Sequence, residues 1–144
     1  MFSNIAVAYE EHSESVRALK RAFELAKTLG VPLTVLTITE PLPAYTAFSV
    51  AADSSAIHSL EQDRLAFYDE LKRRLTAEGA AEGVEVSAHI LQGNAVQTIV
   101  EFVHHHNIDL LVVGLHRRTL RLSSLWSTVY SLAQDLSCSI LGVH

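Results

Sequence analysis

The densest set of chemically active side chains in this 144-residue chain follows an apolar run that ends in glycine. Asp109-Leu110-Leu111-Val112-Val113-Gly114 is succeeded by His116, Arg117, Arg118 and Arg121, and then by a helix-like stretch through Ser127 and Thr128. A strand ending in Gly, a polar loop and a helix start is where an α/β protein holds an anion. The unpaired N–H groups of the first helical turn and the helix dipole both favour negative charge there. Arginine adds paired hydrogen bonds to phosphate oxygens. The competing reading is a solvated basic loop, or charges that pair with acidic groups across a subunit contact.

Three further groups have the right atoms for chemistry. Glu10 and Glu11 stand at a predicted strand end, where a carboxylate can act as a base or hold Mg²⁺ through water. No nucleophile with a matching base accompanies them and G-x-S-x-G is absent, so a solvated turn near a helix start is the simpler reading. His104-His105-His106 cannot converge on one metal ion if helical, because consecutive residues point about 100° apart. They read as a solvated helix end. Cys138 is the single cysteine, which excludes an internal disulfide, favours a reducing compartment and points to packing rather than redox work.

Alternating strand and helix patterns position these residues. Strands are expected at Asn4–Tyr9, Leu33–Thr39, Val84–Leu91, Asp109–Gly114 and Ser137–Val143. Val16, Leu19, Phe23, Ala26 and Leu29 form the stripe of a first helix that Gly30 ends. Leu60, Phe67, Leu71 and Leu75 mark a second over Ile57–Glu78, with Gly79 and Gly83 closing it. Asn94 and Gln97 resemble an N-cap and its capping-box partner for a third helix carrying Ile99, Val100 and Val103. A fourth runs over about Ser123–Leu136. Glu40–Ala56, with Pro41, Pro43, Tyr45 and Phe48, reads as a long loop. The order β-α-β-α-β-α-β-α-β predicts a single α/β domain, a five-stranded parallel sheet with helices on both faces and a site outside the carboxyl ends of its strands.

Composition narrows the function. With 49% hydrophobic and 19% charged residues the chain is globular, and a net charge of −5 argues against a nucleic-acid binder. Neither a signal peptide nor a transmembrane run is evident, so the expected location is cytoplasmic, with no membrane partner.

Taken in order, these segments resemble the universal stress protein family. Asn4-Ile5-Ala6-Val7-Ala8-Tyr9-Glu10 is similar to its first strand, which usually ends Val-Ala-x-Asp. Leu33 to Pro41 looks like its second strand and exit, and Gln92-Gly93-Asn94-Ala95 stands where it has Gly-x-Pro or Gly-x-Ala. Asp109–Gly114 and Ser137–Val143 look like its last two strands. The resemblance implies a Rossmann-like fold of the adenine-nucleotide alpha hydrolase kind. It also implies a homodimer formed through the last strand, by Ser139, Ile140, Leu141 and Val143.

ATP-binding members of that family carry G-x2-G-x9-G-[S/T] after the fourth strand. Laid on this chain, the first glycine is Gly114, but Arg117 and Ser127 occupy the second and third positions. Thr128 agrees. Glu10 replaces the usual Asp, and Glu11 the glycine after it. The expectation is a non-enzymatic, dimeric stress-response protein without ATP or another cofactor. The alternative is a module binding ATP with Mg²⁺, AMP or another anion through Glu10, Gly93, Gly114, Arg117, Ser127 and Thr128, with Tyr9 and Tyr45 near the base. A slow ATPase is the remoter alternative.

Overall fold

A chain that alternates short β-branched runs with amphipathic helices buries its strands between two helical layers, and the computed structural model has that arrangement. It describes residues 1–10, 13–39, 54–115 and 125–144. The elements are β1 (Ile5–Ala8), α1 (Ser13–Leu29), β2 (Leu33–Thr39), α2 (Ser54–Glu82), β3 (Val86–Gln92), α3 (Ala95–His105), β4 (Leu110–Gly114), α4 (Leu125–Asp135) and β5 (Ser139–Val143). All pairings are parallel and the strand order is β3-β2-β1-β4-β5. The order reverses between β1 and β4, so β3 and β5 are the sheet's two edges.

The two-residue period of a strand sorts side chains between the layers. Ile5, Val7 and Tyr9 join Leu33, Val35, Leu110 and Val112 against Ala18, Leu19, Ala22 and Ala26 of α1 and Leu71 and Leu75 of α2. Ala6, Leu36, Leu111 and Val113 face Ile99, Phe102 and Val103 of α3 and Leu132 of α4. Pinning the sheet's lower end, Asp109 accepts from the Ser3 N–H at 2.7 Å and the Asn4 N–H at 3.0 Å.

Several sequence expectations need correction. In α1 the buried face runs through Ser15, Ala18, Leu19, Ala22 and Ala26, and Val16 is 51% exposed. Small residues let the helix lie close to the sheet, which turns Val16 outward. Helix α2 does not close at Gly79 but continues to Glu82. A Cβ on Gly79 would lie 2.2 Å from Val86 Cγ2 and 2.8 Å from the Val84 carbonyl oxygen, so this glycine admits the returning chain. The stop is at Gly83, where φ is +73°. There Gly83 N donates to Ala80 O at 3.2 Å and Val84 N to Gly79 O at 2.8 Å, a Schellman closure.

Leu60 and Phe67 are 57% and 48% exposed, whereas Leu71 and Leu75 are buried. Length explains the split. A 29-residue helix is about 43 Å long, while the seven-residue β3 spans about 23 Å. The sheet therefore covers only part of α2. Asn94 does cap α3, accepting from Gln97 N at 3.2 Å, but the Gln97 side chain bonds Glu101 at 3.1 Å instead of completing a capping box. The 40–53 part of the predicted Glu40–Ala56 loop, with Tyr45 and Phe48, lies outside the described residues. Its last residues begin α2.

Candidate functional site at the strand ends

The carboxyl ends of β1, β2, β3 and β4 carry Tyr9-Glu10, Thr39, Gln92-Gly93-Asn94 and Gly114-Leu115. Hydrogen bonds across neighbouring strands fix this rim. Thr37 Oγ1 donates to Tyr9 O at 3.1 Å, Gly93 N to Thr39 O at 3.0 Å, and Leu115 N to Val143 O at 2.7 Å.

Of the predicted residues, Glu10 and Gly114 flank the reversal between β1 and β4, where open α/β sheets place ligands. Gly93 is not beside them. It follows β3, two strand positions from β1, about 10 Å away at the usual spacing. Glu10 is exposed. His116, Arg117, Arg118 and Arg121 lie outside the described residues, as do Glu11 and His12. Ser127 and Thr128 are described only as backbone of the first turn of α4.

The glycines at this rim answer to steric demands of the fold. A Cβ on Gly114 would sit 2.6 Å from the Glu14 carbonyl carbon, 2.7 Å from its oxygen and 2.9 Å from Ser15 N. The first turn of α1 packs directly on the end of β4, and no side chain fits between. Gly93 has φ +146°, and a Cβ there would meet Thr98 Oγ1 at 2.7 Å. Both positions require glycine whether or not a ligand is present.

The Tyr9 backbone is at the rim, but its side chain belongs to the core. It is 4% exposed among the α1 and α2 side chains, and its hydroxyl accepts from Arg74 Nη2 at 3.1 Å. The alternation Ile5, Val7, Tyr9 was the signal for that placement. The sequence reading missed His89, which is half-buried on β3. Its ring lies 5.0 Å from Phe102 and 5.9 Å from His106, and His106 stacks on Phe102 at 3.8 Å. Burial, then the charges of His106 and Lys72, hold the His89 pKa below the ordinary 6.5.

The histidine run is a helix end, as expected. His105 and His106 donate through Nδ1 to the carbonyls of Glu101 and Phe102 at 2.7 and 3.0 Å, and all three rings are exposed. Among the described residues no group of three or more His, Cys, Asp or Glu is placed to hold a metal. Cys138 packs half-buried on the α3–α4 side, where burial pushes its thiol pKa up. A groove of about 500 Å³ between α1 and α2 lies on a helical face away from the rim and is floored by Val16, Leu19 and Phe23.

The model of the universal stress protein family matches residues 1–144. The chain belongs to the universal stress protein family. A universal stress protein family structure from Burkholderia pseudomallei superposes with a TM-score of 0.70 at 17% identity, covering 98% of this chain and 95% of that one. The Archaeoglobus fulgidus universal stress protein solved in complex with dAMP gives 0.65 at 20%, covering 99% and 98%. A universal stress protein solved in complex with cAMP gives 0.64 at 21%, covering 99% and 97%. These likenesses establish the shared fold. No curated protein matches. Among the described residues no helix is long and apolar enough to cross a membrane.

Proposed function

We propose that this universal stress protein is a non-catalytic, dimeric stress-response protein that does not hold ATP through the family's glycine loop. The observation that carries the reading is the role of Gly114. Its hydrogen side chain is taken up by the backbone of Glu14 and Ser15, so its presence is no sign of a phosphate cradle. The glycine positions that would serve phosphate alone hold Arg117 and Ser127. Each substitution adds side-chain bulk where backbone N–H groups would approach a phosphate.

Dimerisation is proposed through β5. Among the described residues it has β4 on one side only, and such an edge offers backbone groups to a second strand. Leu141 is 37% exposed on it, whereas Ile140 is partly buried and packs against the core on the α3–α4 side. Leu141→Lys is therefore the cleaner test. Sedimentation of the parent at micromolar concentration should give a dimer and the variant a folded monomer. A parent that sediments as a monomer overturns this part.

A second reading rests on the ligands named for two structural neighbours, dAMP and cAMP, each with a single phosphate. Losing two loop glycines removes more contacts from a triphosphate than from a monophosphate. Titrating ATP with Mg²⁺, AMP and cAMP separately, with melting temperature and Trp126 fluorescence as readouts, decides between the readings. No saturable response to any nucleotide supports the first. A response to AMP or cAMP without one to ATP supports the second, and saturable ATP binding at micromolar to low-millimolar concentration sinks the first.

A further inference from the structure

We propose that Arg17, Lys20, Arg21 and His144 form a binding site for a small multivalent anion of the phosphate type, on the α1–β5 side of the sheet rather than between β1 and β4. Spacings of three and four place the three basic residues on one face of α1. They and the end of β5, Val143-His144, line a cleft of about 190 Å³. Among the described residues no Asp or Glu lines it.

The cations there retain donors. Arg17 stands 3.8 Å from Glu14, beyond hydrogen-bond reach, and its side chain is 51% exposed. Arg21 commits Nη1 to Glu24 at 2.7 Å, which leaves most of the five guanidinium N–H donors available. Lys20 has no ion pair among the described residues. In a chain of net charge −5 such a cluster does not follow from overall composition.

The size and chemistry of the cleft select the ligand. Two guanidinium forks and an ammonium match an anion with several oxygens and more than one charge, which a single carboxylate is not. The cleft admits a group of a few heavy atoms, and the acidic balance of the surrounding chain disfavours a nucleic-acid backbone. Because the groups are exposed, binding should weaken as salt rises.

Inorganic phosphate is the probe, followed by backbone amide shifts at low salt. The expected result is saturable shifts at residues 17, 20, 21, 143 and 144, and at least a tenfold loss of affinity in R17E/R21E. K27E/R73E changes net charge equally but lies outside the cleft, and should retain affinity within twofold. Adenosine, which lacks phosphate, should leave these amides unmoved. Equal loss in both double variants overturns the proposal by reducing the effect to net charge. Shifts confined to Glu10, Gly93 and Gly114 overturn it in favour of the strand-end crevice, and the absence of saturation overturns it outright.

Discussion

Replacing Gly114 with Ala asks whether this glycine serves the scaffold or a ligand. The new Cβ would lie 2.6 to 2.9 Å from three backbone atoms of Glu14 and Ser15. Backbone cannot rotate aside as a side chain does, so α1 must shift on the sheet or the contact must be strained. Overpacking typically costs about 1–3 kcal/mol, and a clash with backbone belongs near the upper end. Against this, Gly to Ala reduces the entropy of the unfolded chain and returns about 0.4–1 kcal/mol. The expected net loss is about 2 kcal/mol, or about 6 °C in melting temperature for a domain of this size.

Urea unfolding and thermal melts measure it, with Gly142→Ala as the comparison. A Cβ at Gly142 would meet Leu115 Cδ1 at 2.5 Å, the far end of a flexible side chain, so that variant should lose about 1 kcal/mol or less. If Gly114→Ala melts within about 1 °C of the parent, the packing argument is wrong. If stability is kept while nucleotide binding is lost, the glycine serves a ligand and the proposed function fails with it.

Two other perturbations test local features. Asn94→Ala removes the acceptor for Gln97 N, 3.2 Å away, and should cost about 1 kcal/mol by urea unfolding; an unchanged midpoint would mean water replaces the cap. The His89 pKa is depressed in the folded state, so the unfolded chain takes up the proton first as pH falls. His89 stabilises the fold fully above pH 6.5, and that contribution drains away as pH drops through the depressed value. Melts from pH 8 to pH 5 should show a loss below pH 6.5 that His89→Gln reduces, with His106 and Lys72 as the charges that, after burial, hold its pKa down. Identical pH profiles for parent and variant would remove His89 from the account.

Element order was legible because each strand carried its own pattern. Leu33–Thr39 was read to the residue, and Asn94 announced the start of α3. The helix faces were less legible. Val16 and Leu19 are equally apolar in the sequence, yet only Leu19 is buried. What rotated the helix was the row Ala18, Ala22, Ala26, whose value lies in being small. Gly79 misled for a related reason. A glycine inside a helix reads as a stop, but here it makes room for Val84 and Val86.

The same ambiguity governs the site. A strand-end glycine looks identical in sequence whether a phosphate or a helix occupies the space beside it. At Gly114 that space holds the Glu14–Ser15 peptide, so loss of a ligand would not release the position to other residues. In the phosphate motif, the second and third glycines fall at Arg117 and Ser127, where the requirement comes from the phosphate. A chain that has given up the triphosphate should then keep Gly114 and abandon the other two, which is the pattern this sequence carries. If the proposed function holds, one surviving glycine in three is not a partial phosphate loop. It is the residue that lets α1 sit on β4.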